Sequence, residues 1–162
     1  MNNPQILFVM GVSGSGKTTI GTLLAQKLNI PFFDGDDFHP ASNIKKMSDG
    51  IPLNDDDRQG WLERLNKLAL EHTTTGAVIV CSALKEKYRV ILGNQLEGLH
   101  KIVYLEGSYE LINDRLIQRK NHFMPKGLLR SQFDTLEIPH DPITVSIDQS
   151  PEAIVADIIK ML

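Results

Sequence analysis

Three glycines, a lysine and two threonines fall within Met10-Gly11-Val12-Ser13-Gly14-Ser15-Gly16-Lys17-Thr18-Thr19. Gly11, Gly14, Gly16, Lys17 and Thr18 satisfy G-x-x-x-x-G-K-[ST], the spacing of a phosphate-binding loop. Glycines admit φ > 0 and let backbone N–H groups approach phosphate oxygens. The apolar run before the loop and the helical pattern behind it set it at a helix N-terminus, where the dipole favours anions. Gly11, Val12, Ser13, Gly14, Ser15, Gly16, Lys17, Thr18 and Thr19 are therefore expected to hold a nucleoside triphosphate. Lys17 would reach its β- and γ-phosphates and Thr18 would hold Mg²⁺.

Such a loop names a donor and no acceptor. Phosphoryl transfer to a hydroxyl needs a carboxylate beside the acceptor, and Phe32-Phe33-Asp34-Gly35-Asp36-Asp37 ends a strand-like run with candidates. Asp34 and Asp36, two apart on extended backbone, can point the same way, one towards the metal and one towards the acceptor. Cations must also neutralise charge spreading over the transferring group. Arg115 and Arg119 lie one helical turn apart just before a polar segment and suit a lid pair. Arg58, Lys85 and Arg89 suit a grip on an anionic acceptor, arginine being the better partner for a carboxylate. Among five histidines, His39 after the acidic turn and His122 at the head of the polar segment are candidates for hydroxyl recognition. His72, His100 and His140 are expected in solvent, and no histidine has zinc-site spacing with cysteine partners.

Other nucleotide-binding classes fit less well. Asn66-Lys67-Leu68-Ala69 lacks the aspartate of a guanine-reading N-K-x-D, and Asp57-Arg58-Gln59-Gly60 spells D-x-x-G at a helix start instead of a strand end. Motors and transporters need far more chain than 162 residues. The alternatives left open are a kinase for another small hydroxy acid, sugar acid or nucleotide, and a nucleotide-dependent binding module that transfers nothing.

The elements that must position these residues are legible as alternating patterns. Ile6 to Met10, Pro31 to Asp34, Ala77 to Cys81, Ile102 to Leu105 and Ile143 to Ile147 have strand length and composition. Between them lie helical spacings through Ile20-Leu24-Leu28, Trp61-Leu65-Leu68, Leu111-Ile112-Leu116 and Ile154-Ile158-Leu162. Asn54 before Asp55-Asp56-Asp57 and Ser150 before Pro151 are helix starts. Alternating strands and helices predict an α/β fold with a parallel sheet and right-handed crossovers. Two long polar segments, Gly35 to Asp57 and Asn121 to His140, resist the pattern and are expected as substrate loop and lid.

The composition, 41% hydrophobic and 23% charged, fits one domain spanning residues 1–162, with the lid near 120–140. A net charge of −3 gives no overall basic footprint for nucleic acid. Apolar runs of about five residues are too short for a membrane span. The single cysteine, Cys81, reads as a buried strand end, and the chain is expected in the cytoplasm.

The residues together resemble the compact P-loop gluconate kinases, relatives of shikimate and nucleoside monophosphate kinases. Besides the phosphate loop, the marks are Asp34-Gly35-Asp36-Asp37-Phe38-His39-Pro40, Asn43 to Leu53, Asp56-Asp57-Arg58 with Trp61-Leu62, and Cys81-Ser82-Ala83-Leu84-Lys85 with Tyr88-Arg89. His122-Phe123-Met124-Pro125, Ser131-Gln132-Phe133 and Leu136-Glu137 complete them. The resemblance implies a five-stranded sheet ordered 2-3-1-4-5 under a helical lid and ATP-dependent phosphorylation of the 6-hydroxyl of D-gluconate. It implies Asp36 as the acceptor-side carboxylate, Asp34 near the magnesium, and Arg58 with Lys85 and Arg89 on the substrate carboxylate. Asp36, His39 and Ser82 suit the hydroxyls of such a chain. A homodimer is an expectation of the resemblance alone. Two departures are that Val90 stands where the family usually has an acidic residue after Tyr88-Arg89, and that the region after Glu137 is shorter.

Overall fold

The computed structural model describes residues 5–118 and 127–162. Five parallel strands, β1 (Ile6–Met10), β2 (Phe32–Asp34), β3 (Ala77–Val80), β4 (His100–Glu106) and β5 (Ile143–Ser146), form one sheet in the order β2-β3-β1-β4-β5. β1 is buried at every position because it is the central strand and both its faces are covered. Alternate side chains therefore serve two cores. Leu7, Val9, Val78, Val80, Val103 and Leu105 pack into one, and Ile6, Phe8, Met10, Ala77, Ile79 and Cys81 into the other.

The helices are α1 (Lys17–Leu28), α2 (Ala41–Ser48), α3 (Asp55–Leu70), α4 (Glu86–Leu92), α5 (Tyr109–Gln118), α6 (Leu128–Thr135) and α7 (Pro151–Met161). Ile20 and Leu24 of α1, Ile112 and Leu116 of α5 and Ile154, Val155 and Ile158 of α7 fill the first core. Trp61, Leu62 and Leu65 of α3 and Tyr88 and Leu92 of α4 fill the second. Both expected helix starts are present. Asn54 and Asp57 form a reciprocal capping box, and Ser150 accepts from Ala153 N with Pro151 in the first turn.

The strand bounds differ from the sequence reading by a residue or two. Cys81 N still donates to Val9 O at 3.1 Å just beyond β3, while His100 and Lys101 extend β4 by pairing with Ile6 and Leu7. Gly35 to Asp57 is more ordered than expected: a 3-10 turn, Gly35–Phe38, leads into α2. Asp34 caps that turn by accepting from Asp36 N. Gly35 is required there by crowding, since a Cβ would lie 2.6 Å from Val80 O. His72 and His100 are half-buried instead of solvated; each Nδ1 bonds the carbonyl four residues earlier, and their rings meet Phe33 and Phe8 edge-on. Among the described residues no helix is long and apolar enough to cross a membrane.

Candidate active site

The loop between β1 and α1 sits at the sheet's switch point, where the chain leaves β1 for one edge and later returns to β4 on the other side. Gly14 and Gly16 have φ of 83° and 92°, conformations that side-chain-bearing residues resist. Gly11 is needed for space, because a Cβ would stand 2.6 Å from Ser15 Oγ. Gly16 caps α1 without a side-chain hydrogen bond, and the first turn carries no acidic residue. Its N–H groups stay available to an anion. Ser15 Oγ, buried and without a hydrogen-bond partner among the described residues, adds a donor in the same cradle. Lys17 Nζ donates to Gly11 O at 3.0 Å and Val12 O at 3.1 Å. Burial pushes its pKa down, opposed by the Asp36 and Asp34 carboxylates. Val12 is buried and Thr19 exposed.

Asp34, at the end of β2, links the loop to the acidic turn. Its Oδ2 accepts from Thr18 Oγ1 at 3.1 Å, and its Oδ1 from Asp36 N at 3.0 Å. Asp34 and Asp36 thus stand beside the loop as the spacing predicts, but on a 3-10 turn instead of extended backbone. The Asp36 side chain is 86% exposed and makes no direct side-chain hydrogen bond among the described residues. Although its surface is open, the groups packed around it take away part of the carboxylate's hydration and so raise its pKa, and the Asp34 charge raises it further.

His39 lies behind Asp36, with Nε2 3.9 Å from Asp36 Oδ1. Its ring stacks on Trp61 at 4.2 Å, and Trp61 Nε1 donates to Gly35 O at 2.8 Å. Asn43 Nδ2 donates to Asp57 O at 2.9 Å, which orients the amide, and lies 3.2 Å from His39 Nδ1. The Asn43 amide therefore donates to His39 Nδ1, so Nε2 carries the proton and faces Asp36. Burial lowers the His39 pKa, the Asp36 charge opposes this and Arg58 adds to it. His39 is 8% exposed, which makes it a support for Asp36 more than an open contact surface.

The acceptor cations divide. Arg58 and Lys85 converge on Tyr88, each 5.6 Å from its ring centroid. Arg58 Nη1 also donates to Leu53 O at 2.8 Å. Asp55 binds the other side of this group, accepting from Tyr88 Oη at 2.5 Å and from Lys87, with Lys85 at 3.7 Å. These contacts, the Lys87 and Tyr88 hydrogen bonds first, pull the Asp55 pKa to about 2. Half-buried Ser82 follows β3 nearby in the chain. Arg89 departs from its expected place. It is 5% exposed, and its donors meet Ala83 O at 2.6 Å, Glu137 O at 2.8 Å and Glu86 Oε2 at 3.0 Å. It pins the β3–α4 connection to the chain leaving α6 and presents no free fork for a substrate carboxylate. Glu86 supplies its carboxylate, while Val90 points outward, 62% exposed.

Arg115 Nη2 donates to Ile147 O at 2.7 Å, and Arg119 and His122 lie outside the described residues. Burial pushes the Cys81 thiol up to about 12, so it is an inert core group. Asn43, Tyr88, Gln132 and Glu137 entered the sequence reading only as marks of the resemblance, with no structural role, and here they frame the candidate site. Glu137 joins the α6 exit to Leu84 O and Glu86 N, both at 2.8 Å. Gln132 meets Ser13, 119 positions away, and no local pattern announces such a pairing.

A phosphate cradle faced by two carboxylates at the switch point of a 2-3-1-4-5 parallel sheet defines a P-loop kinase for a small acceptor, and residues 13–162 match the family model for shikimate kinase. The chain is 44% identical over 184 residues to a probable gluconokinase of Rattus norvegicus, covering 100% of both chains. It is 53% identical over 137 residues to the thermosensitive gluconokinase of Escherichia coli (strain K12), covering 83% of this chain and 73% of that one. The crystal structure of a gluconokinase from Sinorhizobium meliloti 1021 superposes with a TM-score of 0.85 at 40% identity, covering 97% of this chain and 90% of that one. The chain belongs to the gluconokinase family, a group of ATP-dependent kinases within the shikimate-kinase type.

Proposed function

We propose that this chain transfers the γ-phosphoryl group of ATP to the 6-hydroxyl of D-gluconate, giving 6-phospho-D-gluconate and ADP. The observation that carries the reading is the Thr18–Asp34–Asp36 chain of contacts, which sets an open carboxylate directly beside the phosphate loop. The gluconokinase relatives supply the acceptor. Thr18 and Asp34 are fit to hold Mg²⁺: both are oxygen donors, they lie within hydrogen-bond reach of one another, and magnesium keeps much of its shell as water and phosphate oxygen. When bound, the ion neutralises phosphate charge. Lys17 and the N–H groups of α1 hold the β- and γ-phosphates, and Asp36 accepts the proton that leaves the acceptor hydroxyl as oxygen bonds phosphorus. Arg115 and Arg119 are assigned to the developing charge. Arg58 and Lys85 are assigned to the acceptor carboxylate, and His39, Ser82 and His122 to acceptor hydroxyls, His39 acting through Asp36. A cytoplasmic setting suits the lone buried thiol.

ADP release from ATP and Mg²⁺, measured alone and with gluconate, shikimate, related sugar acids or nucleoside monophosphates, tests the assignment. Stimulation by gluconate above all other acceptors is expected. Stimulation by a nucleotide alone would overturn the acceptor, and stimulation by none would reinstate a binding module.

A further inference from the structure

We propose that Gln132 is a donor-site residue that reads the terminal phosphoryl group of the nucleotide; the proposal rests on the reading of Gly11 to Thr18 as a triphosphate loop. Gln132 belongs to α6, which is anchored independently of the loop. Leu129 is buried in the core, Phe133 meets the Tyr109 ring at 5.8 Å, and the Arg130 guanidinium lies 3.9 Å from that ring's centroid. From this platform the Gln132 carboxamide reaches one residue with both ends. Oε1 accepts from Ser13 N at 2.7 Å, and Nε2 donates to Ser13 Oγ at 3.0 Å. Only an acceptor can face a backbone N–H, so the amide orientation is unambiguous.

The position along the loop identifies which phosphate is concerned. Lys17 Nζ, the group that reaches β- and γ-phosphates, bonds Val12 O, and Gln132 holds the N–H on the opposite edge of that same trans peptide. Gln132 and the lysine therefore flank one peptide of the loop, a single residue apart along the cradle. A terminal phosphate oxygen accepting from Ser13 N–H displaces Oε1. Rotation of the carboxamide then offers that oxygen an Nε2 hydrogen, without any shift of α6. A diphosphate ends at its β-phosphate and has no γ-phosphoryl oxygen there to receive it. Glutamine alone among the uncharged side chains of this length carries both the acceptor for one state and the donor for the other.

The test is calorimetric titration of Mg²⁺·ADP and of Mg²⁺ with the non-hydrolysable analogue adenylyl imidodiphosphate into the full chain and two variants. Gln132→Met keeps the length and helix propensity but removes both hydrogen-bonding groups. Gln132→Glu keeps the acceptor and loses the donor. Gln132→Met is expected to lower the preference for the triphosphate analogue over ADP by about tenfold, as loss of a charge-assisted hydrogen bond does, with ADP affinity within about twofold of the unmodified chain. Gln132→Glu is expected to lower it further. An unchanged or raised preference in Gln132→Met, or equal weakening of both ligands, would overturn the proposal, even if Gln132→Glu responds, because a charge acts without contact. Should Gln132→Met fail to fold, Gln132→Ala supplies the same comparison, and failure of both would make Gln132 a strut and overturn it as well. An unmodified chain that binds neither ligand would instead refute the donor-loop reading itself.

Discussion

Asp34 uses both carboxylate oxygens, on Thr18 and on the Asp36 amide, and this leaves Asp36 as the carboxylate open to an acceptor. Asp36→Asn is therefore expected to lower kcat by orders of magnitude while nucleotide affinity stays within about twofold, a loss confined to the chemical step. Equal loss of nucleotide binding would place Asp36 in the donor site instead. The raised Asp36 pKa also has a consequence with a definite sign. The native state binds this proton more tightly than the unfolded chain, so stability falls as pH rises through the window between 3.8 and the folded value. Asp36→Asn should for that reason melt no earlier than the unmodified chain at pH 7, which separates lost chemistry from lost fold.

Between elements, two arginines that look alike in sequence have different surroundings. Arg58 opens α3 and lies over Tyr88 of α4, whereas Arg89 of α4 joins Ala83 and Glu137 from inside the core. Arg89→Ala should destabilise the chain by about 3 kcal/mol, because buried carbonyls lose charge-assisted donors, with the KM for acceptor little changed in the folded fraction. Arg58→Ala should raise the KM for acceptor, and a rise in the KM for ATP instead would misplace it. Asp55, clasping Lys85, Lys87 and Tyr88, ties α3 to α4 electrostatically. Its folded pKa near 2 against 3.8 means that its contribution is complete above pH 4 and is lost as pH falls towards 2. Asp55→Asn should flatten the acid-unfolding profile in that window, and by less at high salt, since the pair is exposed. An unchanged profile would remove this tie.

At the scale of the whole molecule, what was legible in sequence followed from burial. β1 is the central strand and is covered on both faces, so its run of five apolar residues marked its bounds without error. The capping residues Asn54 and Ser150 and the loop glycines are equally local in cause. α2 was hidden because its one buried residue is the polar Asn43, and α6 because its packing rests on Leu129 and a few ring contacts. The inward turn of Arg89 was not legible because charge and spacing do not say which face of a short helix is buried. The Gln132–Ser13 and Glu137–Glu86 contacts span 119 and 51 positions, distances over which no periodicity carries information. The phosphate loop of the candidate donor site was thus readable from one stretch, and the Gln132 contact to it was not. The acceptor half depends on how β2, α3 and α4 converge above the carboxyl ends of the strands.

The identity of the phosphorylated carbon tests the central claim most directly. The product of the full chain with ATP, Mg²⁺ and gluconate should show a single new phosphomonoester signal in proton-coupled ³¹P NMR, split into a triplet by the two hydrogens of the primary carbon and formed in step with ADP. A doublet from a secondary carbon, or inorganic phosphate alone, would contradict it.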